Sequence, residues 1–151
     1  MEPHYYTVEI TWNTDRKGMM CSPELKKDAG SCIEVATPPE FPKGIPGIWS
    51  PEHLFTASVS SCLMTTFLSV AENSKLSFTH FTCNSKGKLE QVEGKFMMSE
   101  IILEPIVTIS DKKDLEKAER VLKKSEAACL ISNSVKSKVT MLPIIKIEEN
   151  T

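Results

Sequence analysis

Between Leu54 and Ala71 the chain runs 18 residues without a charged side chain, a stretch that must be buried in protein or lipid. Its start is marked as a helix start. Ser50 is an N-cap residue, Pro51 suits the first helical position, and Glu52 places a negative charge in the first turn. The spacing predicts a helix from Pro51 to about Asn73. Phe55, Val59, Cys62 and Thr66 share one face, and Leu63, Phe67 and Val70 share the next, which predicts burial on most sides. Seven hydroxyl side chains (Thr56, Ser58, Ser60, Ser61, Thr65, Thr66, Ser69) and the lack of a second long apolar segment favour a protein core over a membrane span. Small residues such as Ala57, Ser58, Ser60 and Ser61 would let another helix pack close.

Around this helix the sequence reads as strand. Tyr6, Val8, Ile10 and Trp12 alternate with Thr7, Glu9 and Thr11, the pattern of a half-buried strand. Asn13 to Gly18 reads as a turn, Gly18 to Ser22 as a second strand and Ser31 to Ala36 as a third. From Pro38 to Gly47 the chain holds four prolines and two glycines and makes a stiff loop. After the long helix come two β stretches, Ser77 to Leu89 and Lys95 to Ser110, the second expected to bend or fray at Pro105. Ser110 or Asp111 caps an amphipathic helix burying Leu115, Ala118 and Leu122. Ser132 caps a further short helix, and Val139 to Ile147 forms a last strand. The expected order is β-β-β-α-β-β-α-α-β, an α+β fold in a single domain over residues 1–151.

Charge excludes some partners. A net charge of −2 gives no footprint for nucleic acid or an anionic membrane. The densest charge run, Asp111 to Glu126, mixes six basic with five acidic residues and reads as a solvated helix face. Three histidines and five cysteines show no paired-ligand spacing, so neither metal nor cofactor is expected. The first residues lack a basic and apolar export pattern, which predicts a cytoplasmic, reducing setting without static disulfides.

Residue chemistry alone yields candidates. A cysteine on a buried helix, as at Cys62, serves most often as a small core residue. Cys129 lies at a helix junction, where amide dipoles of a helix capped by Ser132 would favour a thiolate. Cys21, Cys32 and Cys83 fall in strand-like segments and are taken as structural. Arg16 stands in a tight turn and Glu52 at a helix start, each with a sufficient role there.

Two motifs change this balance. Ser50-Pro51-Glu52-His53-Leu54-Phe55 is followed by Ser61-Cys62, and Glu126-Ala127-Ala128-Cys129-Leu130-Ile131-Ser132-Asn133 comes later. Together they resemble the OsmC/Ohr family of osmotically inducible and organic hydroperoxide resistance proteins, in its OsmC-like branch, over essentially the whole chain. The resemblance implies an OsmC-like fold: an intertwined homodimer with two long central helices wrapped by sheet. It also implies a cysteine-based peroxidase of the oxidative stress response, an antioxidant enzyme reducing organic hydroperoxides to alcohols. Cys62 would be the peroxidatic thiol, Cys129 the resolving thiol, Arg16 the thiolate-holding arginine and Glu52 its carboxylate partner. The reductant would be an external dithiol, a small molecule or a lipoylated protein, and Met19, Met20, Phe55 and Phe67 would supply an apolar surround. The alternatives are a non-catalytic dimeric binder of an apolar ligand, and a thiol redox sensor on the same fold. The sequence departs from the family pattern at Leu130, where proline commonly follows the second cysteine. It departs again at His53, where Gln or Glu is common.

Overall fold

A computed structural model of the chain describes residues 1–26 and 30–149. The chain divides into two compact units, Met1–Leu54 and Phe55–Thr151. In chain order it holds strands β1 (Glu9–Thr14), β2 (Lys17–Cys21) and β3 (Cys32–Ala36), helix α1 (Pro51–Asn73), strands β4 (His80–Val92) and β5 (Lys95–Ile109), helix α2 (Leu115–Ala128), and strands β6 (Lys138–Met141) and β7 (Ile144–Ile147). The fold is α+β, as expected.

The first unit is an antiparallel sheet in the order β1-β2-β3. The turn between β1 and β2 is shorter than the composition suggests: Thr14 pairs with Lys17, leaving only Asp15 and Arg16 between them. Asp15 takes φ 49°, a left-handed conformation that Asp tolerates better than most residues. Two bonds tie this turn down. The Trp12 indole N–H donates to the Asp15 carbonyl at 3.0 Å, and the Thr37 N–H donates to the Arg16 carbonyl at 3.1 Å. All six residues of β1 are exposed, so the half-buried strand expected here is uncovered within the chain. The alternation itself holds: Ile10 faces Met20 and Met20 faces Ile33, one apolar row across the sheet.

The second unit carries a four-stranded sheet in which β4 and β5 form a long antiparallel hairpin. Its turn is Glu93-Gly94 alone, with φ 51° and 77°, the left-handed pair that matches the twist of two strands. The last strand is split. β6 and β7 both lie parallel to β5, against Glu100–Leu103 and Ile106–Ile109 respectively. Pro105 sits between those two stretches, and β5 passes through it without a break. The Leu142 N–H donates to the Leu103 carbonyl, so Leu103 and Pro105 turn their backbone toward that edge. The missing proline N–H therefore falls where the parallel partner changes, and no ladder bond is lost.

Helix α1 has the predicted limits and cap, with the His53 N–H donating to Ser50 Oγ at 3.2 Å. Its burial is narrower than expected. Val59, Leu63, Phe67 and Ala71, spaced four apart, form one fully buried stripe, while Met64 and Leu68 are exposed. Val59 and Leu63 pack with Ile101 and Leu103 of β5. Phe67 and Ala71 join Val107 and Ile109 of β5 with Ala118, Val121 and Leu122 of α2. Phe67 stacks on Phe81 at 4.8 Å and meets Phe78 edge-on at 5.0 Å. By length and composition alone α1 is apolar enough to cross a membrane. Asp111 caps a 3₁₀ turn, Lys112–Asp114, that leads into α2. The short helix expected after Ser132 is a single 3₁₀ turn, Ser132–Ser134.

Candidate functional site

Two of the predicted residues meet in the second unit. Cys62 projects from the middle of α1, and Cys129 is the residue that ends α2. The last turn of α2 closes through the Cys129 N–H to Glu126 carbonyl contact, and Cys129 then turns extended at φ −64°, ψ 109°. The chain folds straight back into the 3₁₀ turn through the Asn133 N–H to Cys129 carbonyl bond at 3.1 Å and the Ser134 N–H to Ile131 carbonyl bond at 2.9 Å. This reversal brings Cys129 close enough to Cys62 for each sulfur to shift the acidity of the other. Cys129 is fully buried, and Cys62 is half-buried.

Their surroundings push the two thiols apart in acidity. Burial raises the Cys62 thiol, but several donors outweigh it: the Ile131 N–H, the Cys129 thiol, the Thr66 hydroxyl and the Leu130 N–H. The net result is a Cys62 thiol below the ordinary cysteine value. Thr66 stands one helical turn on, with its Oγ1 3.9 Å from the sulfur. At Cys129 burial again raises the thiol, and the Ser132 hydroxyl and N–H offset only part of that. The neighbouring Cys62 adds to the rise, leaving Cys129 above the ordinary value. Of the two, Cys62 is thus the more acidic thiol and Cys129 the less acidic. The sequence reading put the amide-stabilised thiolate at Cys129, whereas the turn's amides favour Cys62 most effectively. Thr66 and the Leu130 and Ile131 amides were missed, although the i,i+4 spacing of Cys62 and Thr66 was a readable signal for the first.

The other two predicted residues, Arg16 on the β1–β2 turn and Glu52 in the first turn of α1, line one cavity of about 850 Å³ in the first unit. Trp12, Val35, Pro38 and Phe41 supply apolar wall beside them. His53 accepts a hydrogen bond at Nδ1 from the Ser50 N–H and shares a second, of 2.7 Å, with Ser50 Oγ. It therefore reinforces the helix cap.

The expected apolar surround is divided. Phe67 is fully buried in the core. Phe55 lines a cavity of about 390 Å³ with Met97, Met98 and Val135, and it shares the Cys62 face of α1. Met19 and Met20, adjacent on β2, point to opposite faces of the first sheet. Cys83 is a free cysteine against the core, its sulfur 3.5 Å from Ser85 Oγ. Cys21 and Cys32 are joined by a disulfide across β2 and β3, contrary to the expectation of no static disulfide. The hairpin register explains it, because the two residues face each other directly. Among the described residues no cluster of three or more His, Cys, Asp or Glu side chains is placed to hold a metal ion.

Several solved structures share this arrangement of strands and helices. An OsmC-like protein of unknown function from Vibrio cholerae superimposes with a TM-score of 0.79 at 24% identity, covering 94% of this chain and 100% of its own. An organic hydroperoxide resistance protein OsmC from Legionella pneumophila gives 0.72 at 20% identity, covering 97% and 100%. The organic hydroperoxide resistance protein OhrB of Bacillus subtilis gives 0.65 at 19%, covering 95% and 98%. In sequence the chain is 22% identical over 144 residues to YmaD, an uncharacterized protein of Bacillus subtilis, covering 93% of each chain. Residues 44–142 match the family model described as OsmC-like protein, and the chain belongs to that family.

Proposed function

We infer that the chain is a thiol-dependent peroxidase that reduces organic hydroperoxides to alcohols. The observation that carries this reading is the neighbouring thiol pair, with Cys62 shifted toward the thiolate by the donors around it and Cys129 kept a thiol by burial. Membership of a family whose relatives include organic hydroperoxide resistance proteins supports the same reading. The Cys62 thiolate attacks the distal oxygen of the hydroperoxide, the O–O bond breaks, and the leaving alkoxide takes a proton to become the alcohol. Cys62 is left as a sulfenic acid, two electrons more oxidised. Cys129 condenses with it, forming the Cys62–Cys129 disulfide and releasing water. An external dithiol, a small molecule or a lipoylated protein, then reduces that disulfide and becomes a disulfide itself.

Arg16 orients the peroxide and holds the Cys62 thiolate, and Glu52 fixes the guanidinium. The cavity that Arg16 and Glu52 share supports the pairing of the two side chains. Phe55 and its methionine neighbours accept the organic substituent. The working form is a homodimer in the cytoplasm. Its support is apolar surface left open by one chain: Ile10 and Trp12 on β1, and Met64 and Leu68 on α1.

The test is consumption of an organic hydroperoxide with excess dithiothreitol by wild type, Cys62→Ser and Cys129→Ser. Many turnovers by wild type, none by Cys62→Ser and few by Cys129→Ser are expected. Wild-type consumption no greater than that of Cys62→Ser refutes the assignment.

A further inference from the structure

The Cys21–Cys32 disulfide has no part in the peroxidase cycle, yet it is placed to react. It joins facing residues of the β2–β3 ladder, with Cα atoms 4.2 Å apart, and closes the segment between them. The base of that segment is held by the Ser22 N–H to Ser31 carbonyl bond at 3.3 Å.

Register decides which face of the sheet carries the bond. Glu9, Cys21 and Cys32 stand in one row, and the next row on that face is Thr11, Met19 and Glu34. Ile10, Met20 and Ile33 belong to the opposite face. The disulfide therefore lies on the polar side, which also carries the Lys17–Glu34 ion pair at 3.8 Å. A partner covering the apolar side would leave it in water. Cys32 is exposed and Cys21 partly so, and an attacking thiolate can reach the bond. Glu9 stands in the row of the disulfide, and Glu34, paired with Lys17, stands in the next.

We propose that Cys21–Cys32 is a second thiol–disulfide exchange site, whose substrate is an uncharged external dithiol. One thiolate of the dithiol attacks the exposed Cys32 sulfur, forming a mixed disulfide and releasing Cys21 as thiolate. The second thiol of the reductant then displaces Cys32 and closes into a cyclic disulfide. Two electrons pass to the protein, and the two cysteine thiolates take up the two protons lost by the dithiol. Exchange unfastens one end of the β2–β3 ladder. The Arg16 turn stays anchored at the other end through the Thr37 N–H.

The inference does not rest on the peroxidase reading, and one experiment reads both thiol pairs separately. Trypsin places Cys21 in residues 18–26, Cys32 in 28–43, Cys62 in 44–75 and Cys129 in 125–136. The native full-length protein is oxidised with diamide, treated with dithiothreitol or dianionic dimercaptosuccinate, alkylated and mapped by mass spectrometry. The expected result is peptide 18–26 linked to 28–43 before reduction. Dithiothreitol should free both within minutes without denaturant, and dimercaptosuccinate should act several-fold more slowly at low salt. Free Cys21 and Cys32 after oxidation, or a bond that opens only once denaturant is added, overturns the proposal. Equal rates for the two reductants overturn its preference for an uncharged dithiol. The state of Cys62 and Cys129 in the same digest shows independently whether the peroxidase pair behaves as described.

Discussion

Leu130→Pro isolates the contribution of one backbone amide to the Cys62 thiolate. Proline removes the Leu130 N–H, one of the donors that hold Cys62 below the ordinary cysteine value. Little else should change. The Leu130 side chain is 67% exposed, so no core contact is lost. Cys129 already holds φ −64°, ψ 109°, the extended conformation that a residue preceding proline adopts. The family commonly carries proline at this position, which agrees with that geometry. A hydrogen bond to a charged acceptor contributes about 1.5–3 kcal/mol, and sulfur, a weak acceptor, belongs at the low end. Leu130 is the weakest of the four donors to Cys62, so the thiolate fraction at acidic pH should fall by less than the tenfold that about 1.36 kcal/mol would give.

The assay is the rate of Cys62 alkylation by iodoacetamide from acidic to alkaline pH, read on the peptide that carries it. The sign follows from the cause. Losing a donor to the charged form raises the Cys62 thiol toward its ordinary value, so the rate falls below the titration midpoint. At alkaline pH both proteins carry the full thiolate and the rates converge. A rate reduced equally at every pH would place the effect in access rather than ionisation. An unchanged profile would remove the Leu130 amide from the account.

Ser132→Ala removes the hydroxyl that partly offsets the burial of Cys129. Its thiol should move further above the ordinary value, and closure of the Cys62–Cys129 disulfide should slow several-fold. Dimedone trapping of sulfenic acid during peroxide treatment measures this, and an unchanged trapping yield argues against it. Phe67→Ala empties the centre of the larger core cluster and should lower stability by about 3–5 kcal/mol in urea unfolding; a loss under 1 kcal/mol would contradict the packing described. Replacing both Cys21 and Cys32 by serine opens a loop of sequence separation 11. The chain-entropy argument gives a loss of about 3 kcal/mol, read as a lower unfolding midpoint relative to the oxidised protein.

Where local chemistry decides structure, the sequence was readable. The Ser50-Pro51-Glu52 start fixed α1 to the residue, because an N-cap hydroxyl and a ring without N–H leave few other positions for a helix to begin. Pro105 was misread for an instructive reason. Proline disrupts a ladder only where its N–H would have been used, and that depends on the gap between β6 and β7, formed by residues far along the chain. The burial of α1 was overestimated because an apolar composition says which residues avoid water, not what covers them. One stripe is covered by β5 and α2, and Met64 and Leu68 are not covered within the chain.

The site divides along the same line. Cys62 and Cys129 were legible as candidates only through their motifs, since a cysteine's acidity is set by groups that the fold brings to it. Those groups are mostly backbone: the Ile131 and Leu130 amides carry no residue identity, so no reading of side-chain types could have found them. Only proline would have shown in the sequence, by removing one of them. The position where the chain departs from its family's pattern thus carries a donor that a proline cannot supply. Leucine at this position leaves Cys62 one amide donor more than proline would. Loop rigidity bears on how fast Cys129 closes the disulfide, while the amide bears on how readily Cys62 is attacking as thiolate, so Leu130→Pro should trade the second for the first. A variant that both resolves faster and reacts as fast at acidic pH would show that the two effects are not coupled through this residue.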